Sequence, residues 1–232
     1  MLGRMSPPIV QTRPEPAQWR LRSGDLNDVA SNFRRQLGFG SHRPVVLSGH
    51  QAGFWHPGIL AKALAAGAMR EEFDAQIGWL VVDQDASEVE NLRYPRIDQT
   101  SAIGVSAGAW RIVPPEIAAL QRADCAVASI PACTLTEPLP TDAATSEIAR
   151  GLRAMGECLA RHASAATLGE QLARASGELL QSILPVQIDL IYASRLSRTD
   201  AFRGLLEKMM DDPRSCVLAY NKAVAECGMR GI

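Results

Sequence analysis

The sequence lacks an excess of charge of either sign: Lys and Arg total 24 against 25 Asp and Glu over 232 residues. No overall field draws such a chain to nucleic acid or to an anionic membrane surface, so neither is an expected partner and any charged ligand must be met locally. It also lacks an apolar run approaching the roughly 20 residues of a membrane-spanning helix. The opening segment MLGRMSPPIVQTRPEP has no apolar h-region of a secretory signal, which leads us to expect a cytoplasmic protein. Neither G-x-x-x-x-G-K-[ST], G-x-G-x-x-G nor H-E-x-x-H occurs. The five cysteines, Cys125, Cys133, Cys158, Cys216 and Cys227, form no C-x-x-C pair, and their odd number argues against a closed disulfide framework. They read as reduced, small, semi-buried apolar side chains, none of them beside a histidine or in a glycine-marked turn.

What is present suffices for a globular core, since 47% of the residues are hydrophobic. Residues 1–24 carry Pro7, Pro8, Pro14 and Pro16 with little periodicity and read as an N-terminal arm. Residues 25–232 read as one α/β domain. Asp25 looks like the N-cap of a first amphipathic helix through Leu26, Val29, Phe33 and Leu37, ended by Gly38 and Gly40. Pro44–Leu47 is a short buried strand by its apolar run, followed by a turn at Ser48-Gly49, a loop, and a helix from Pro57 with Ile59, Leu60, Ala63, Leu64 and Ala68 inward. Gly78–Val82 is a second buried strand ending at Asp83. An irregular insertion over about 95–142 holds six of the fourteen prolines and reads as mixed strand and turn with one short helix near Glu116–Arg122. A helical segment at about 145–183, either a pair or one broken helix, has stripes at Ile148, Leu152, Met155, Leu159 and at Leu168, Leu172, Leu179, Ile183. Val186–Tyr192 reads as a third strand. A helix with Phe202, Leu205, Leu206 and Met209 inward follows it, and then a last helix from about Pro213 with Val217, Tyr220 and Val224. This alternation predicts a mostly parallel, Rossmann-like sheet with helices on both faces, and such sheets bind ligands beyond the carboxyl ends of their strands.

Two strand-end segments have the inventory for chemistry. Ser48-Gly-His-Gln-Ala-Gly-Phe-Trp-His-Pro-Gly58 combines three glycines, two histidines, a glutamine and two aromatics. Ser48, Gly49, Gln51 and Gly53 suit close approach to a phosphate or carboxylate ahead of a helix N-terminus, and His50 and His56 suit hydrogen bonding or acid–base work near neutrality. Phe54 and Trp55 read as cover for the sheet end, while His56 serves equally well as a helix cap. Val82-Asp-Gln-Asp-Ala-Ser-Glu-Val-Glu90 places four carboxylates within eight residues. Asp83 and Asp85, two apart, point the same way in an extended chain and could hold Mg²⁺, bind an ammonium or sugar hydroxyls, or act as a base. The alternative is a helix start with Asp85 or Ser87 as N-cap and Glu88 and Glu90 in its first turn. No Cys/His spacing supports a transition-metal site. Arg195 and Arg198, after the third strand, read as solvated charges.

At these two segments the sequence resembles the bacillithiol biosynthesis cysteine-adding enzyme family, BshC. That family leads a strand into T-G-Q-Q-x-G and a hydrophobic pair, and ends a later strand in D-H-D-x-E-E; the counterparts here are Ser48-Gly-His-Gln-Ala-Gly-Phe-Trp55 and Asp83-Gln-Asp-Ala-Ser-Glu88, in the same order and separation. The resemblance implies a Rossmann-like core with inserted connecting segments and a coiled-coil dimerisation region. It implies a carbon–nitrogen ligase that joins cysteine to the amine of a glucosaminyl malate. Gly49, His50 and Gln51 would then face the nucleotide or activated carboxylate, and Asp83, Asp85 and Glu88 the amine or sugar, with ATP and Mg²⁺ as candidate cofactors. Departures are His50 for the family's Gln, Gln84 for its His, and His56-Pro-Gly-Ile-Leu60 for its G-P-L-Y-T. The similarity reaches only the N-terminal half of a family member. The expectation is thus a truncated product, a piece completed by a C-terminal partner chain, or a relative with a different small-molecule substrate, as a homodimer or otherwise. Two further readings stand beside it: a non-catalytic module binding a nucleotide or sugar phosphate, and a nucleotidyltransferase using His50 and His56.

Overall fold

A computed structural model describes residues 26–40, 42–53, 57–85, 90–122, 125–183 and 188–226. In chain order its elements are α1 (Asp28–Gln36), β1 (Val45–Gln51), α2 (Pro57–Phe73), β2 (Gln76–Val82), β3 (Asn91–Ile97), β4 (Val105–Arg111), α3 (Pro115–Arg122), α4 (Ser146–Arg161), α5 (Leu168–Ile183), β5 (Asp189–Tyr192), α6 (Ala193–Leu196), α7 (Asp200–Asp211) and α8 (Pro213–Glu226). The three apolar runs form a parallel sheet of order β1-β2-β5, flanked by helices. Among the described residues no helix is long and apolar enough to cross a membrane.

Strand alternation divides β2 into two faces. Ile77, Trp79 and Val81 are buried on one of them, where Trp79 and Val81 join Ile59 and Ala63 of α2, Leu172 of α5 and Trp110 of β4 in the main core. Small residues set the approach of α2: Ile59, Ala63 and Ala66 lie inward, while Leu64 and Ala68, expected on that stripe, are exposed. On the opposite face Gly78 leaves the room occupied by Leu47, Phe39 and Ile191, since a β-carbon there would lie 2.6–2.7 Å from all three side chains.

Several boundaries differ from the expectations, each for a local reason. The N-cap of α1 is Asn27, whose Oδ1 accepts from the Ala30 N–H at 2.8 Å; Asp25 lies outside the described residues. Gly38 does end α1 in the left-handed region, at φ 85°. β1 does not stop at Leu47. Ser48, Gly49, His50 and Gln51 stay in the ladder opposite Trp79, Leu80, Val81 and Val82, because Gly49 has no β-carbon to collide with the Leu80 carbonyl. The strand expected in the irregular region is half of an antiparallel hairpin: β4 pairs with β3, which begins ahead of that region at Asn91, and the Tyr94 ring lies over Gly108. α4 and α5 are two helices, joined through the buried Gln171: its Oε1 accepts from Cys133 N–H at 3.0 Å, and its Nε2 donates to the carbonyls of Cys133 and Leu159 at 2.7 and 3.0 Å. Of the α7 stripe expected inward, Phe202 is half-buried, but Leu205, Leu206 and Met209 are exposed. On α8 Val224 is buried but Val217 and Tyr220 are exposed. Periodicity thus misplaced Leu205, Leu206 and Met209, which no described segment buries.

Candidate functional site

Because β1 and β2 run parallel with Gln51 opposite Val82, both sequence motifs end at one rim of the sheet. The two are joined there. Gln51 Nε2 donates to Asp85 Oδ2 at 3.2 Å, and the Ala52 N–H reaches the Val82 carbonyl at 3.4 Å. The Asp83–Asp85 bend is held from below by the turn at Val127–Ser129, whose Ala128 and Val127 N–H groups donate to the carbonyls of Asp83 and Asp85 at 2.8 and 3.2 Å.

The two aspartates do not point the same way. Asp83 is 2% exposed and turns toward the β5 side, where its Oδ1 accepts from the Ser194 N–H at 2.9 Å and its Oδ2 from the Ser194 hydroxyl at 2.5 Å. Asp85 is exposed and turns toward β1. The extended conformation ends at Val82, so the alternation that would have aligned the carboxylates is lost at the bend. Held by Ser194 of α6 on one side and by Gln51 of β1 on the other, Asp83 and Asp85 are turned apart rather than paired around one Mg²⁺. Among the described residues no three His, Cys, Asp or Glu side chains gather as metal ligands.

The glycine-rich segment is corrected in a similar way. Gly49 is a ladder residue whose role is the close approach of β1 to β2, not an anion-holding turn. Ser48, Gly49, His50 and Gln51 line a groove of about 420 Å³ with Leu47, Leu80 and Val82. Gly53 lies just past the strand, and its carbonyl accepts from the buried Ser176 hydroxyl of α5 at 2.7 Å. Phe54, Trp55, His56 and Glu88 lie outside the described residues.

The rim therefore offers an exposed carboxylate at Asp85 beside the Gln51 amide, while Ser48 and His50, alternating with Gln51 along β1, lie toward the other face of the sheet with Trp79 and Val81. Such a set can accept from an ammonium or hydroxyls and donate to a carbonyl or carboxylate. At the end of β5, Arg195 stacks over the Tyr192 ring, 5.2 Å from its centroid. Burial pushes the Cys133 and Cys158 thiols up from their ordinary value.

Sequence reasoning missed Ser194 and Ser176, the two hydroxyls that fix this rim. The available signal is slight: a small polar residue directly after a buried strand in one case, and a serine within an otherwise apolar helix stripe in the other. The sequence matches no protein-family model and no curated protein.

Proposed function

We propose that the chain is a BshC-like carbon–nitrogen ligase or a diverged relative of one, with a Rossmann-like core that takes an amino-sugar conjugate at the β1–β2 rim. The observation that carries the reading is the Gln51–Asp85 hydrogen bond, which unites the two motifs through which the sequence resembles that family. In this scheme the Asp85 carboxylate accepts from the substrate ammonium or sugar hydroxyls. The Gln51 amide holds the carboxylate in place and orients the acyl partner. His50 receives the proton that the ammonium must lose before its nitrogen attacks the activated cysteine carboxyl. Asp83 acts as a positioning residue, since its carboxylate is committed to Ser194. ATP would supply the activation of the carboxyl group, and the phosphate or nucleotide it leaves there would depart as the amide bond forms. No Mg²⁺ role is assigned to the Asp83–Asp85 pair.

The test is calorimetric titration of the chain with glucosaminyl malate. Asp85→Asn and Gln51→Ala should each weaken binding about tenfold or more, the effect of losing a charge-assisted hydrogen bond. Unchanged affinity in both variants, or no binding by the parent, overturns the reading.

One observation favours a second reading, a binding module without catalysis: a group expected to be catalytic, Asp83, is sequestered from solvent. His50→Ala separates the two. The ligase loses turnover with the fold intact, whereas the module retains its affinity and has no turnover to lose.

A further inference from the structure

A groove of about 550 Å³ runs between the N-terminal half of α4 and the C-terminal half of α5, with Leu60 of α2 in its wall. No residue lines both this groove and the one at the β1–β2 rim. Met155 of α4 and Leu179 and Leu180 of α5 join Leu60 on its apolar side, and its size is ordinary for a small-molecule site. Two of its α4 residues have no counterpart within the chain. Gly151 stands in the interior of a helix, where glycine loses stability against alanine, yet among the described residues a β-carbon built on it meets nothing within 4 Å beyond the adjacent backbone. Gly156 of the same helix differs, because its β-carbon would lie 3.0 Å from the Trp110 ring and close packing explains that glycine. The space left open at Gly151 belongs to the groove. Arg150, also lining it, is exposed, and among the described residues its guanidinium has no ion pair and no hydrogen bond. The nearby Glu147 makes no ion pair with it: that carboxylate accepts from its own N–H and from Thr145 and Ser146 at the start of α4, bonds that hold it below its ordinary value.

We propose that this groove binds an amphipathic carboxylate, a small molecule with an apolar body and one anionic head. The body lies against Leu60, Met155, Leu179 and Leu180, and its removal from water supplies most of the affinity. Met155, unbranched and flexible, adapts to the shape of that body. The head meets Arg150, whose planar guanidinium matches a carboxylate through two parallel hydrogen bonds. The other polar groups of the groove direct the head to the same place. Ser176 and Ser182 both donate their hydroxyl protons to main-chain carbonyls, those of Gly53 and Leu179, at 2.7 Å, which leaves Arg150 as the lining side chain with donors to spare for an anion. A cationic head would face the unpaired guanidinium, and a neutral one would forgo the charge-assisted bonds.

Calorimetric titration of the full chain with decanoate tests this directly. Saturable one-to-one binding with a Kd below about 1 mM is expected, and decanol should bind about tenfold more weakly. Arg150→Gln should weaken decanoate by about tenfold and leave decanol unchanged. Gly151→Leu projects a side chain into the open space and should abolish the binding of both, with the circular dichroism spectrum retained because leucine favours the helix. A measurement free of substitutions is the NMR spectrum, in which decanoate should shift the Met155 methyl resonance and the amide resonances of Leu179 and Leu180. Absence of saturable binding overturns the proposal, as do shifts confined to the β1–β2 rim. Equal affinity for decanoate and decanol, or an Arg150→Gln variant without effect, overturns the carboxylate head, and full affinity in a folded Gly151→Leu variant overturns the groove.

Discussion

Removing the Ser194 hydroxyl tests whether Asp83 is structural. Asp83 is 2% exposed, and its two carboxylate oxygens take the N–H and the hydroxyl of Ser194 at 2.9 and 2.5 Å. Hydrogen bonds to a charged group contribute roughly 1.5–3 kcal/mol, and a buried group left without its partner adds its own desolvation cost. Ser194→Ala deletes one bond and keeps the backbone one, so it should cost about 2 kcal/mol. Asp83→Ala deletes both and strands two donors of Ser194, which raises the expected cost to about 4 kcal/mol. The pair should be strongly non-additive: once Asp83 is alanine, removing the hydroxyl costs little, and the coupling energy approaches about 2 kcal/mol. For a chain of this size the serine variant should melt about 4–8 °C lower and the aspartate variant further still. Urea unfolding followed by circular dichroism measures all four corners of the cycle. A Ser194→Ala midpoint equal to that of the parent, or a coupling near zero, refutes the reasoning. So does an Asp83→Asn variant of unchanged stability that loses all ligand binding, since that would return Asp83 to direct contact with the ligand.

Three other substitutions follow from named contacts. Gly49→Ala drives a methyl group into the Leu80 carbonyl, with the Leu80 β-carbon at 2.9 Å, and should cost about 3 kcal/mol; a fully stable variant would mean that β1 does not pair through Gly49. Gln171→Ala abandons three hydrogen bonds of a buried side chain, and chemical denaturation should register a loss of about 3 kcal/mol, with less than about 1 kcal/mol contradicting its role between Cys133 and Leu159. The Asp98 carboxyl is held at about 2, below its ordinary 3.8, first by the Thr100 hydroxyl, then by the Thr100 N–H and by Ser106. A depressed folded-state value contributes stability that is complete above 3.8 and disappears as the pH falls through about 2. Carbon-detected NMR titration should find that low midpoint and see it rise in Thr100→Val; a parent midpoint near 3.8 contradicts the hydrogen-bonded turn.

The sheet was largely legible because its strands are short apolar runs set off by polar or helical sequence, a pattern that burial in a parallel sheet enforces. Their shared rim was legible for the same reason. The end of β1 was not, since Ser48, Gly49, His50 and Gln51 have the composition of a turn, and only the neighbouring backbone of Leu80 explains a glycine inside the strand. The β3–β4 hairpin was masked by Pro95 within β3 and by Gly108, whose missing side chain is filled by Tyr94 from the opposite strand. The inward stripe assigned to α7 was sound as a pattern and wrong as a location: amphipathicity states that a face needs cover, not which surface covers it. At the site, both motifs and their meeting at one rim could be read from residue type and spacing. The divergence of Asp83 from Asp85 could not, because the partner of Asp83 lies 111 residues away at Ser194 and no local rule reaches that far.

The measurement closest to the central claim, a ligand site shared by the ends of β1 and β2, is the map of backbone amide shift changes when glucosaminyl malate is added to the isotopically labelled chain. The account predicts that the largest changes fall at Ser48–Gln51 and at Gln84 and Asp85, with those at Gln51 and Asp85 saturating together. Changes confined to another part of the molecule, or at one of the two strand ends alone, contradict it.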